Sequence, residues 1–133
     1  MARHIATLHL PGSGRLLQWR SDGCWRELND AQHRAELDGS HLPAAEEWVR
    51  WSGLSRPQAR GGGWDGGPAW WLVHGELPGR ATPSVVLADG SRPPVRSLGR
   101  VWACEWFSPA QAATVRVAGE QFTLPFAEPY YRR

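Results

Sequence analysis

Apolar and polar residues alternate in short runs along most of this chain, and glycine, proline and Asp-Gly punctuate the runs. Ile5 to Leu10, Arg15 to Arg20 and Cys24 to Leu28 have strand composition. Pro11-Gly12-Ser13-Gly14 and Ser21-Asp22-Gly23 turn the chain between them, which predicts an opening hairpin or meander. Asp30 to Leu37 differs: it holds good helix formers, an Asp at its start and Gly39 just after its end. Pro43 to Trp51 is a second helix candidate, with proline in the first turn and Glu46-Glu47 early. As a helix it would put Ala44, Ala45, Trp48 and Trp51 on one face. A strand over Trp48-Val49-Arg50-Trp51 is the competing reading.

Ser52 to Pro68 is the clearest loop, dense in breakers and ending in Gly61-Gly62-Gly63-Trp64-Asp65-Gly66-Gly67-Pro68. Beyond it nearly everything reads as strand. Ala69 to Leu77 is a mostly apolar run closed by Pro78-Gly79, and Ser84 to Ala88 ends at Asp89-Gly90. A short segment around Val95 follows Pro93-Pro94. In Arg100 to Phe107, alternation sets Val101, Ala103 and Glu105 against Trp102, Cys104 and Trp106. Thr114 to Ala118 and Gln121 to Phe126 flank Gly119-Glu120, read as a two-residue hairpin turn.

The stretch from His74 to Leu124 resembles immunoglobulin-like modules of high-GC bacteria. The resemblance rests on Gly75-Glu76-Leu77-Pro78, on Val85 to Gly90, on an aromatic-ended strand, and on Thr114 to Gly119. The antibody pattern of cysteine, tryptophan and cysteine is not met, because Trp25 directly follows Cys24. What the resemblance implies is a sandwich shape, and nothing about activity. The expected fold is therefore mainly β: a single immunoglobulin-like β-sandwich of seven to nine strands over residues 1–133. One or two short helices are inserted in its N-terminal half, between residues 30 and 52. The loop at 52–68 and a flexible or docking tail at 127–133 complete the plan. Two autonomous domains are not expected, since halves of about 65 residues sit near the lower limit for independent folding.

Composition changes this picture in three ways. All fifteen basic side chains are arginine and there is no lysine, while Gly, Ala and Pro abound, the mark of a high-GC genome. The net charge of +2 is too small to suggest a nucleic-acid partner. No apolar run approaches the roughly 20 residues of a membrane span, and the N-terminus lacks a signal peptide's apolar region. A cytoplasmic protein without a membrane partner is the expectation, with Cys24 and Cys104 as reduced, buried thiols. Monomer and homo-oligomer remain open.

Candidate chemistry is sparse. The five histidines and two cysteines show no metal-ligand spacing, so no metal or cofactor is expected. No nucleophile elbow is present, and the glycine-rich loop lacks the lysine of a phosphate loop. Glu105, or a cysteine paired with His74, would have to carry any catalysis; a strand position on a partly exposed face beside an arginine is the simpler reading of Glu105. The nine tryptophans are the distinctive feature. Each indole has a broad apolar face and one N–H that wants a partner when buried. Trp64, Trp70 and Trp71, with Arg56 and Arg60, are the candidate residues for a ligand or partner. The expected function is a non-enzymatic interaction or accessory module that engages a protein partner through aromatic and arginine side chains. The alternatives are a carbohydrate-binding module with an exposed tryptophan platform, and a small enzyme using a Glu or Cys.

Overall fold

A computed structural model describes residues 4–62 and 69–125. Trp64 and the tail at 127–133 lie outside the described residues. The expectation of a mainly β chain is met, and the described strands form three antiparallel sheets where a single sandwich was expected. Sheet A has the order β1 (Ile5–Leu10), β2 (Arg15–Arg20), β3 (Cys24–Asn29) and β4 (Val49–Arg50). Sheet B has the order β5 (Gln58–Gly62), β6 (Ala69–Glu76), β9 (Val101–Ser108) and β8 (Arg96–Leu98). Sheet C has the order β11 (Glu120–Leu124), β10 (Ala113–Val117) and β7 (Ser84–Leu87). Among the described residues no helix is long and apolar enough to cross a membrane.

Alternation explains the layering. On β6, Leu72 packs with Leu8, Leu10, Leu17 and Trp25 of sheet A, together with Val101 and Ala103 of β9. Trp71 and Val73, one residue away on either side, pack with Val85, Leu87, Val115 and Val117 of sheet C, together with Trp102, Cys104 and Trp106. Sheet B is thus the middle layer, with an apolar core on each face. That is why β6 and β9 read as almost unbroken apolar runs while β10 alternates cleanly, having one core face and one wet face. The two faces foreseen for β9 are the two faces seen.

The N-terminal segments follow their local signals only in part. Helix α1 (Asp30–Leu37) forms where expected, with the Asn29 side chain accepting a hydrogen bond from the Gln32 amide at 2.7 Å. Pro43 to Trp51 does not form a helix. Only a 3-10 turn at Ala45–Glu47 appears, followed by β4 pairing with β3, so the strand reading holds for Val49–Arg50. Edge pairing to Cys24 and Trp25 outweighs a helix too short to bury its own face. Trp48 and Trp51 consequently part company. Trp51 lies under Arg100, whose guanidinium carbon is 3.9 Å from the ring centroid.

Two turns show why particular residues stand where they do. Gly99, between β8 and β9 at φ +57°, has the Trp19 ring against its backbone; a Cβ there would fall 2.3 Å from Trp19 Cγ. The last hairpin turns one residue earlier than its sequence suggests, because Val117 pairs with Glu120 and Ala118-Gly119 form the loop. Both loop residues have positive φ, 52° at Ala118 and 79° at Gly119. Alanine is strained in that region, whereas Asn tolerates it. Ala118→Asn is therefore expected to stabilise the protein by about 0.5–1 kcal/mol, read as a higher denaturant midpoint at unchanged slope.

Candidate functional site

The outer face of sheet A carries a groove of about 540 Å³ whose lining includes Ile5, Arg20, Arg26, Leu37, Ala45 and Trp48. Its floor is built by β2 and β3, its walls by α1 and the 3-10 turn. Arg26 is 4% exposed and fully engaged. Its Nε donates to Gln18 Oε1 at 2.8 Å, one terminal nitrogen donates to Glu36 Oε2 at 3.0 Å, and the other pairs with the second oxygen of the same carboxylate. Bonding and charge from Arg26 hold the Glu36 carboxyl below its ordinary range. Glu47 joins this network through Gln32 Nε2 (2.7 Å) and the Ala44 amide (2.8 Å). The Trp48 ring lies beneath two guanidinium carbons, those of Arg20 at 4.6 Å and Arg26 at 4.5 Å. Around the groove, apolar side chains face water: Leu37 is 74% exposed, and Leu42 in the connection after α1 is 82% exposed.

Beside the groove, one ligand atom each from Glu36, His41 and Glu47 fall within 4.8 Å of one another, which is the spacing of a cation site. Arg26 already supplies positive charge to both carboxylates there, with Glu47 at 3.5 Å.

A second cluster sits between sheets A and B. Glu27 of β3 is on the sheet face that carries Leu17 and Trp25, and its side chain is 5% exposed. Burial alone would raise its pKa, but Arg15 and Arg60 outweigh burial and keep it ionised and below its ordinary range. Arg60 Nε donates to Glu27 Oε1 at 2.6 Å, and Arg15 Nε pairs with the other oxygen. His74 of β6 reaches toward the same carboxylate, with Nε2 3.7 Å from Glu27 Oε1. Neither ring nitrogen of His74 has a hydrogen-bond partner among the described residues, and Trp25 packs edge-on against the ring at 5.9 Å. Desolvation brings the His74 pKa down to about 4, against the pull of Glu27, so the ring is neutral at pH 7.

A third group locks the chain around Glu76 at the end of β6. Its Oε1 accepts from the amides of Ser52 (2.9 Å), Gly53 (2.7 Å) and Leu54 (3.2 Å), and from the Ser52 hydroxyl (3.2 Å). Its Oε2 accepts from the Trp25 indole N–H at 2.8 Å. Burial pushes this carboxyl up, yet the bonds win and leave its pKa lowered.

Glu27 and Glu76 were not singled out from the sequence, although a signal existed. Alternation places Glu27 with Leu17 and Trp25, and Glu76 with Leu72 and His74, on faces that must be buried. A carboxylate on such a face needs cations or several N–H donors.

The residues expected to bind are dispersed. Trp71 is 2% exposed in the core between sheets B and C, and its indole donates to the Ser108 carbonyl at 2.8 Å. Trp70 is half-buried and packs against the core between sheets A and B. Arg60 is tied to Glu27 of sheet A, whereas exposed Arg56 lies over the Phe122 ring of sheet C at 6.0 Å. Trp64 lies outside the described residues.

The residues weighed for catalysis are also apart. Cys104 faces sheet C, its thiol pushed up to about 12 by burial and next by Glu105, while His74 one residue along the register points the other way. Cys24 and Cys104 are free and buried. Among the described residues Glu105 is not paired with an arginine: its two oxygens accept the Gly12 and Ser13 amides, each at 2.8 Å, and pin the β1–β2 turn to β9. In comparisons with known proteins, no family model, no curated protein and no solved structure matches this chain.

Proposed function

We propose that this protein is a non-enzymatic interaction module that seats an apolar segment of a protein partner in the groove over Trp48. The observation that carries the reading is the pair Leu37 and Leu42, 74% and 82% exposed, at a groove that Trp48 also lines. Leucines so exposed have no role in either core, and exposed apolar surface next to a concavity marks interaction sites. Charge argues for the kind of partner. Arg26 is neutralised by Glu36 and Glu47, and Arg20 by Asp22, so the groove offers no surplus cation to an acidic peptide. Apolar anchors on an amphipathic segment suit it better.

The carbohydrate reading needs coplanar exposed indoles, whereas every described tryptophan is buried or half-buried. The enzyme reading needs a reactive group, whereas Glu105 is committed to backbone amides and the Cys104 thiol is held protonated.

A random-peptide library panned on the wild-type protein and on the Leu37→Asp/Leu42→Asp variant tests the proposal. Both positions are solvent-facing, so the variant keeps the fold. Enriched peptides are expected to carry apolar anchors, to shift the Trp48 indole N–H resonance, and to bind the variant at least about tenfold more weakly, about 1.4 kcal/mol. Peptides that bind both proteins equally, or leave Trp48 unmoved, would overturn it.

A further inference from the structure

On the opposite side of the molecule, the outer face of sheet C holds a cavity of about 270 Å³ lined by Ser84, Val86, Leu87, Arg92, Thr114 and Arg116. That is roughly nine times the share of liquid volume of one water molecule, room for a partly hydrated small ion. Strand pairing builds its floor. Arg116 of β10 stands opposite Ser84 of β7, and Thr114 stands opposite Val86. The pleat turns these side chains away from Val85, Val115 and Val117, which fill the core. Arg92 comes from the segment after the Asp89-Gly90 turn and closes the third side.

The charge at this cavity is uncompensated. No carboxylate lines it, and among the described residues neither Arg92 nor Arg116 forms an ion pair. The acids on neighbouring turns are occupied elsewhere: Asp89 accepts from the Ser91 amide and from Gln111, and Glu120 from the Ser55 hydroxyl. Arg56, Arg96 and Arg100, which also form no ion pair among the described residues, lie on a ring or donate to a backbone carbonyl, whereas five others are neutralised. Arg15, Arg20, Arg26, Arg34 and Arg60 each meet a carboxylate. Arg116 is also held in place, since its Nε donates to Gln121 Oε1 at 3.0 Å, and among the described residues its two terminal nitrogens meet no acceptor. Two guanidinium groups brought to one concavity repel each other unless an anion lies between them, and flanking hydroxyls can donate to the same anion.

We infer that this cavity is a binding site for a tetrahedral oxyanion, phosphate or sulfate, either free or as the terminal group of a small phosphomonoester. Arg92 and the terminal nitrogens of Arg116 supply charge-assisted donors, and Ser84 and Thr114 supply neutral ones. The site is independent of the groove over Trp48, and its failure would leave that proposal untouched.

The test is an amide and arginine-Nε NMR titration with inorganic phosphate, sulfate and glycerol phosphate, at ionic strength held constant with chloride. Saturable shifts at Ser84, Thr114 and Arg116 are expected, and affinity should fall at least about tenfold in Arg92→Gln/Arg116→Gln. Tighter binding of glycerol phosphate than of phosphate would identify the esterified form, and equal binding the free ion. Shifts that stay linear, that chloride reproduces, or that survive in the double variant would overturn the assignment. Both arginines are exposed, and an unchanged amide spectrum outside the cavity shows that the variant is folded.

Discussion

Glu76→Ala is expected to cost about 3–5 kcal/mol of stability, the range for removing one partner from a buried, charged hydrogen-bond cluster. The carboxylate is the only acceptor among the described residues for three successive backbone amides, those of Ser52, Gly53 and Leu54. It also accepts the Trp25 indole N–H. Removing it deprives the part-buried loop amides of their acceptor together and leaves the buried Trp25 N–H unsatisfied, at the cost of its full desolvation. Glu76→Gln separates the contributions. Its amide oxygen can take the place of Oε1 and keep the three backbone bonds, while its NH₂ group would confront the Trp25 N–H, donor against donor. A loss of about 2 kcal/mol, intermediate between wild type and alanine, is expected from urea denaturation. Hydrogen exchange at Ser52 to Leu54 should accelerate in the alanine variant more than in the glutamine one. Equal loss in both variants would show that charge, and not the count of acceptors, holds the loop.

The second large effect is a loss of stability on mild acidification. The folded-state pKa of His74 is depressed to about 4, from 6.5. Below pH 6.5 the unfolded chain therefore takes up a proton that the folded protein refuses, and stability falls as pH drops toward 4. At 1.4 kcal/mol per unit this amounts to about 2 kcal/mol by pH 5. The carboxylates contribute in a lower window. Glu27, Glu36 and Glu76 have lowered folded pKa values, so their stabilisation is intact above the unfolded carboxylate range and is lost only as pH falls through it. The interval from pH 6.5 to about 5 is thus dominated by the histidine. His74→Leu should flatten the stability profile there. It also removes two buried ring nitrogens that have no hydrogen-bond partner among the described residues, so the variant should match or exceed wild type at pH 5. A slope that persists in His74→Leu would mean that the acid sensitivity originates elsewhere.

Much of this arrangement is legible along the chain. Most turns, the strands β1 to β3, helix α1 and the two faces of β9 follow from local chemistry, whereas β5 (Gln58–Gly62) forms inside the segment 52–68 that reads as a loop, because it pairs with β6. The second helix was not legible, because Pro43 to Trp51 satisfies helical spacing locally and yields only when Val49 finds Trp25 across the edge of sheet A. The one-residue offset of the last turn has a similar cause. Register between β10 and β11 is set by which valines face the core, and it places Ala118 at a positive φ that its own preference opposes.

The candidate sites divide along the same line. Tryptophan content alone drew attention to Trp70 and Trp71, yet the middle position of sheet B gives each ring a core of its own. Trp48, half-buried under Arg20 and Arg26, comes to line one groove with exposed Leu37 only because β2, β3, α1 and the 3-10 turn converge.

By itself, then, the sequence determined the β character, the alternation within each strand, the position of α1 and most of the turns, since these depend on neighbours a few residues apart. Tertiary structure alone decided that there are three layers, so that Glu27 meets Arg60 from 33 residues away and Glu76 meets Trp25 from 51. Burial and charge pairing are properties of which surfaces meet, and no local pattern encodes the partner. The same reason separates the arginines. Composition makes all fifteen alike, and only the fold shows which are neutralised in place and which, like Arg92 and Arg116, keep their charge for something else.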